Sequence, residues 1–311
     1  MSENLKFAGT PLVTVGIVTY NSAGTVLETL ESAKAQTYPN LELIVSDDCS
    51  SDGTVALCRR WIEQNASRFV RTELLTVPAN TGIPGNLNRV VAAARGTFLK
   101  SIAGDDILLP DCVADNMAFV REHPEAEIVF SSVREFCGNA DKREFFETYP
   151  DAENRAYFAK SAREQFCAFV KSDFWVPAPA CFVRTDLLRQ NPYDENYPAM
   201  EDWPQWCRLT RAGTRLFFAD RETVLYRVNA ASVSTTKNDS FYSVRFMETR
   251  KMFFIRELRK YLQELGEQKQ IRKYEREFLL FDFCIHVLKN RKNAWTSLVR
   301  HLFSRFLKIC R

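Results

Sequence analysis

The sequence predicts an α/β fold: a mainly parallel central sheet with helices on both faces, followed by a C-terminal helical extension. Three observations carry this. Short β-rich runs alternate with amphipathic helical segments over the first 135 residues. Acidic, turn-forming loops stand where the runs end, and beyond Ser240 the periodicity is helical to the end of the chain. A length of 311 residues suits one or two domains.

Val13–Thr19 is a β-rich run closed by Tyr20-Asn21-Ser22, with Ser22 as the expected cap of a helix reaching about Thr37. Leu41–Ser46 is a second strand. It ends in the polar loop Asp47-Asp48-Cys49-Ser50-Ser51-Asp52-Gly53, and a helix follows over Thr54–Asn65. Phe69–Val77 reads as a third strand, Gly82–Arg95 as a helix, and Thr97–Ala103 as a strand ending at Gly104-Asp105-Asp106. Glu127–Val133 is a further strand after another helix. Residues 136–180 carry little periodicity. Glu201–Ala212 reads as a helix, Thr214–Ala219 and Thr223–Val228 as two strands, and Gly266 as the break in the C-terminal helices. The expected division is a domain over 1–238, in halves 1–135 and 136–238, and a helical region over 239–311.

Composition removes several classes. With 46% hydrophobic and 26% charged residues the chain is ordinary globular material. No apolar run is long enough for a membrane span, and Met1-Ser-Glu-Asn-Leu-Lys lacks the pattern of a signal peptide, so a cytoplasmic protein with reduced thiols is expected. Nine cysteines without a CxxC pair, and three scattered histidines, argue against a disulfide framework and a histidine zinc site.

The carboxylates that end strands are the chemical signal. In open α/β sheets ligands bind outside the carboxyl ends of the strands. Paired carboxylates beside such a crevice suit a hard divalent cation, which can neutralise a diphosphate. Helix capping is the alternative use. It is expected of Asp52 and Asp111, weighs equally for Asp47-Asp48, and is weaker for Asp105-Asp106.

Taken in order, Thr19-Tyr20-Asn21, Asp47-Asp48-x-Ser50-x-Asp52-x-Thr54, Asn80-x-Gly82 with Asn88, Ala94 and Gly96, Gly104-Asp105-Asp106, and Glu201-Asp202-Trp203 resemble the motifs of glycosyltransferase family 2. These are the inverting nucleotide-sugar transferases of the GT-A (Rossmann-like) fold, and the resemblance covers roughly residues 12–235. It implies roles by position. Thr19 and Tyr20 would line the nucleoside pocket, with Asn80 beside them, and Asp48 would pair with the base of a uridine or thymidine nucleotide. Asp105 would meet ribose or donor sugar, Asp106 would bind Mn²⁺ or Mg²⁺, and Arg227 would meet the diphosphate. Asp202 would be the general base, with Glu201 and Trp203 at the acceptor. Residues 1–135 become the nucleotide-binding half and 136–238 the acceptor and catalytic half.

Two places depart from the family. Asn229 stands where His is common, and Leu87 where many relatives carry Arg. Lys100 could substitute for that Arg, although a solvated strand lysine is the favoured reading. Trp206 divides evenly between acceptor contact and core.

The net charge of +3 hides a split. Phe283–Arg311 holds seven Lys/Arg and no Asp or Glu, which leaves 35 basic against 39 acidic residues in 1–282. Trp295, Leu298, Val299, Leu302, Phe303, Phe306 and Leu307 recur at helical spacing, with Arg300, Arg305, Lys308 and Arg311 off that stripe. A basic amphipathic helix can lie in an anionic membrane surface, or pack on the body. Nucleic acid is not expected, because the body is acidic and no nucleic-acid motif is present.

The expected function is transfer of a hexose from a nucleotide-diphosphate sugar, UDP-linked, to a glycan or undecaprenyl-diphosphate-linked sugar in bacterial surface-polysaccharide synthesis. A degenerate nucleotide-sugar-binding protein and a dTDP-rhamnosyl transferase stay open beside it. An oxidoreductase on the same kind of sheet lacks the GxGxxG it would need after the first strand.

Overall fold

A computed structural model describes residues 9–139, 142–172, 174–228 and 239–309. The chain divides into two compact units, Met1–Val228 and Asn229–Arg311. The boundary expected from sequence, after residue 238, closes the stretch 229–238, which lies outside the described residues.

The first unit is built on a nine-stranded sheet flanked by helices. Its strands are β1 (Val13–Thr19), β2 (Leu41–Asp47), β3 (Arg71–Thr76), β4 (Phe98–Ala103), β5 (Ile107–Leu108), β6 (Ile128–Gly138), β7 (Arg143–Tyr149), β8 (Phe182–Arg184) and β9 (Leu216–Arg227). Eight of them run in the order β3-β2-β1-β4-β8-β6-β9-β5, and β7 pairs with β6. The β3-β2-β1-β4 portion and the β6-β9 pair are parallel, while β8 is antiparallel to both of its neighbours. The β1 and β2 runs are almost continuously apolar and buried, as strands covered on both faces must be.

The helices of this unit are α1 (Val26–Lys34), α2 (Thr54–Asn65), α3 (Gly82–Ala93), α4 (Cys112–Glu122), α5 (Ala152–Tyr157), α6 (Ala162–Lys171), α7 (Thr185–Gln190) and α8 (Asp202–Arg211). Helix α3 lies close on β1, where a Cβ on Gly16 would collide with Val90 Cγ1. Gly82 opens α3 with φ +82°, a backbone conformation that glycine adopts freely.

Several sequence expectations are corrected. Ser22 does not cap α1 through its side chain; its carbonyl accepts from the Thr25 and Val26 N–H groups, and α1 ends at Lys34. The two strands expected over 214–228 are one continuous strand, β9, and the residues between them are accommodated by register shifts against β6. The little-periodic region 136–180 holds β7, α5 and α6. Their short lengths and exposed faces leave little pattern to read, although Ser161 and Glu164 form a full capping box at α6.

The second unit is helical over its described residues: α9 (Val244–Phe253), a π-helical turn Phe254–Leu258, α10 (Arg259–Glu264), α11 (Gln268–His286) and α12 (Ala294–Ile309). Gly266 breaks the chain with φ +72°, and a second break comes at Lys289 and Asn290, both with positive φ. Phe253, Leu258, Leu262, Ile271, Tyr274 and Cys284 form its interior. The eight described cysteines form no disulfide with one another.

Candidate active site

Parallel pairing brings the ends of β1, β2 and β4 side by side. Thr19 is in register with Asp47 and Val18 with Ala103. The Asp48 N–H donates to Thr19 O and the Gly104 N–H to Val18 O, so both acidic loops open at one edge of the sheet.

The first loop is internally satisfied. Asp47 accepts from Thr19 Oγ1 at 2.8 Å and from Ser50 N and Oγ at 2.8 and 2.6 Å. Asp52 accepts from Thr54 N at 2.9 Å and Ala23 N at 3.1 Å, a capping use at the head of α2. Asp111 stands at the head of α4, but its carboxylate accepts from Thr37 Oγ1 instead.

Asp48 is buried and crosses to the N-terminus of α3. Its oxygens accept from the Thr81 and Gly82 N–H groups and Thr81 Oγ1, and Arg89 Nη2 pairs with it at 2.8 Å. Burial alone would raise this carboxyl, but the Thr81, Arg89 and Gly82 donors outweigh it and hold it below the usual range. Asn80 reaches the same corner: Nδ2 donates to Asp48 O at 3.2 Å, and Oδ1 accepts from Gly82 N.

Arg89 is the residue sequence reasoning missed. Leu87, at the place where many relatives carry Arg, is buried. Two residues further along α3 the helix turns a guanidinium onto Asp48, a placement that the 3.6-residue period could have suggested. Thr19 is buried with its hydroxyl on Asp47, whereas Tyr20 is more than half exposed.

The second loop is not satisfied. Asp106 is buried, and its Oδ1 accepts from the Arg227 N–H at 2.8 Å. Its Oδ2 is buried with no hydrogen-bond partner among the described residues. Burial first, and then the charge of Asp105, push the Asp106 carboxyl well above the usual range. Asp105 is half-buried. The Arg227 guanidinium turns back on its own chain. Nε donates to Asp105 O at 2.7 Å, Nη1 to Gly138 O, and Nη2 pairs with Glu28 at 3.2 Å, over the face of Phe136. In this arrangement it braces the Asp105-Asp106 turn.

Lys100 is a correction. It is not solvated but fully buried, since β4 is a central strand between β1 and β8. Its ammonium donates to Pro179 O at 2.5 Å, and burial lowers its pKa.

The third acidic element heads α8. Glu201 is the N-cap residue and Asp202 the first helical residue; both are half-buried, and Asp202 Oδ1 accepts from the Trp203 N–H at 2.7 Å. Burial, reinforced by Asp202, pushes Glu201 up to about 8, and burial raises Asp202 as well. The approach to this helix meets the Asp48 corner, because a Cβ on Gly82 would lie 3.1 Å from Pro198 Cβ. Trp203 is half-buried with Nε1 donating to Phe169 O at 3.0 Å, and Trp206 is core, edge-on to Phe130. Asn229 and the serines that follow it lie outside the described residues.

A divalent cation fits the Asp106 turn on one observation: a buried carboxylate oxygen lacks a partner there. No cluster of three or more His, Cys, Asp or Glu placed to hold a metal occurs among the described residues. Mg²⁺ commonly takes one or two protein carboxylates and completes its shell with phosphates and water.

Comparison with known proteins bears on the family and the fold. Residues 14–168 match the family model described as Glycosyl transferase family 2. The succinoglycan biosynthesis protein ExoO of Rhizobium meliloti is 38% identical over 101 residues, 32% of this chain and 27% of that protein. The chain spans less than half the length of ExoO and of two other curated relatives that it matches. WfaP of Escherichia coli, a UDP-Glc:alpha-D-GlcNAc-diphosphoundecaprenol beta-1,3-glucosyltransferase, is 26% identical over 227 residues, 73% of this chain and 81% of that protein. The crystal structure of S. aureus TarS 1-349 in complex with UDP-GlcNAc superposes with a TM-score of 0.60 at 18% identity, covering 88% of this chain and 76% of that one. At that identity the likeness carries the fold, which is GT-A. From the order of its motifs to the family match, residues 14–168 form a glycosyl transferase family 2 domain.

Proposed function

We propose that the protein moves a hexose from a UDP-sugar to a sugar hydroxyl on a lipid-linked or oligosaccharide acceptor, with inversion, in surface-polysaccharide assembly. The observation that carries this reading is the unsatisfied Asp106 oxygen at the end of β4. The names of ExoO and WfaP support the polysaccharide context, and the nucleotide bound to TarS supports a UDP donor.

In this reading the Asp48 corner, with Asn80, Thr19 and Tyr20, receives the nucleoside. Asp105 faces the ribose or donor sugar. Asp106 holds Mn²⁺ or Mg²⁺, which when bound neutralises charge on the departing diphosphate. Arg227 keeps the Asp105-Asp106 turn in place through Asp105 O and the Asp106 carboxylate. Asp202 takes the proton from the acceptor hydroxyl as that oxygen attacks the anomeric carbon. Its raised pKa makes it a stronger base than an ordinary carboxylate. The α8 N-terminus orients it through the Trp203 N–H, and Glu201 and Trp203 border the acceptor.

A lipid-borne acceptor also fits α12. Trp295, Leu298, Leu302 and Phe306 are exposed along one stripe, while Phe303 stacks on Phe283 at 4.1 Å. No described helix is long and apolar enough to cross a membrane. The proposed place of the protein is therefore peripheral, on the inner face of the cell membrane, with the stripe in the interface and the cations toward anionic headgroups. Lys308 and Arg311 belong to this reading by sequence alone.

The test is nucleotide release and product formation from a panel of UDP-, GDP- and dTDP-sugars with a diphospholipid-linked acceptor, with Mn²⁺ and with chelator. Transfer by Asp202→Asn at the native rate would refute the base. Unchanged co-sedimentation with anionic vesicles after removal of residues 293–311 would refute the membrane face.

A further inference from the structure

Trp175 faces solvent where both of its neighbours face inward. Phe174 and Val176 are 4% and 2% exposed, and Trp175 is 51% exposed. Phe174 is fixed among the rings of Tyr157, Phe158 and Phe169, at centroid distances of 5.2, 5.1 and 4.5 Å. Extended backbone alternates sides, so anchoring both neighbours turns the indole outward. The main chain is pinned as well: the Trp175 N–H donates to Asn154 Oδ1 at 2.7 Å. Asn154 is itself held by Asp151 at the head of α5. The Trp175 ring meets Tyr149 edge to face at 5.5 Å and 85°. Half of a large apolar side chain is thus presented to water on a rigid mount.

The mount is tied to both ends of the transfer site. At the far end of the segment 174–181, the carbonyls of Pro179 and Cys181 accept from Lys100 Nζ, on the strand that leads to Asp105 and Asp106. Just before the segment, Phe169 O of α6 accepts from Trp203 Nε1, beside Asp202.

A pyranose offers an apolar C–H face and a rim of hydroxyls. An aromatic face suits the first, and a nearby acceptor group suits the second. Tyr149 O–H donates to Glu147 Oε2 at 3.0 Å, which places a carboxylate at the edge of the aromatic pair. We infer that Trp175, supported by Tyr149, is the stacking platform for a sugar ring of the acceptor. The inference rests on the transferase reading for the name acceptor, while stacking on a sugar is a binding statement of its own.

Saturation-transfer NMR tests it directly, with the methyl glycosides of glucose, galactose and N-acetylglucosamine as probes and UDP titration as an independent readout of the nucleotide site. The native protein should pass saturation to the ring protons of at least one glycoside. Trp175→Ala should lose the signal and Trp175→Phe should keep part of it, both binding UDP as the native protein does. With a competent acceptor, Trp175→Ala should raise acceptor KM roughly five- to tenfold with little change in kcat. No signal from any glycoside on the native protein, or equal signals on native and Trp175→Ala, overturns the platform. Failure of the native protein to bind UDP would instead overturn the transferase reading and leave the glycoside result standing.

Discussion

Two aspartate pairs end two parallel strands, and in sequence they look alike. Asp47-Asp48 is saturated by hydrogen bonds from Ser50, Thr19, Thr81, Gly82 and Arg89. Asp106 keeps one buried oxygen without a hydrogen-bond partner among the described residues. The same residue types serve opposite purposes because of what faces them. The first loop meets a helix N-terminus and a guanidinium, which hold Asp48 ionised. The second meets burial and a like charge, with Arg227 offering Asp106 only its backbone N–H as a hydrogen bond. A saturated carboxylate stabilises the fold. An unsaturated one costs stability and leaves an oxygen open to a further partner.

The largest expected effect separates the pairs by activity. Asp106→Asn should lower transfer by about a thousandfold, the scale of a lost electrostatic contact to the transition state. Its melting temperature should not fall, because a buried carboxyl with an unpartnered oxygen is removed. Calorimetry and turnover on one preparation check both, and a clear loss of stability would break the comparison.

Next, Asp202→Asn should lower kcat by roughly a hundredfold or more, with nucleotide binding retained by titration, and the largest activity effect is expected at Asp106 or Asp202. The largest stability effect belongs to the saturated pair. Asp48→Ala should cost about 3 kcal/mol by denaturant unfolding, since it strands Arg89 and the head of α3. A cost below about 1 kcal/mol would place Asp48 outside the framework.

The pH dependence sharpens the same contrast. Asp48 and Glu42 have depressed folded-state values, the latter because Arg95 N–H, Thr14 and Arg71 outweigh its burial. Their stabilisation is therefore complete above the unfolded carboxylate value, about 4, and fades as pH falls through the folded value. Stability of the native protein should drop below about pH 4, and more shallowly in Asp48→Asn. The smallest effect is Ser50→Ala, about 1 kcal/mol, from a half-buried hydroxyl that donates to Asp47 and accepts from the Asn21 N–H.

The parallel half of the sheet was legible because its strands are long, apolar and separated by turn residues. Val13–Thr19 and Thr54–Asn65 have the bounds that their sequence suggests. What was hidden depends on contacts across the sheet. Lys100 reads as a surface lysine until β8 is laid against β4 and the carbonyls of 179 and 181 meet its ammonium. The three-residue β8 has no period of its own to detect. Likewise Arg227 reads as a phosphate ligand by motif, and only the fold shows its guanidinium spent on Asp105 O, Gly138 O and Glu28. Motif order located the acidic elements; it could not say which carboxylates were already paired.

The long strand β9 sets a rule about chain length. Its side chains alternate faces, so adding or deleting one residue between Thr223 and Arg227 would carry the Arg227 side chain to the opposite face of the sheet. Glu28 would then lose Arg227 and keep Arg143, and Asp106 would face a different main-chain group. The register shifts near Ser132 show that the upstream half of the strand already tolerates an irregular count. Natural variants of this protein should therefore vary in length before Thr223 and hold a fixed spacing after it.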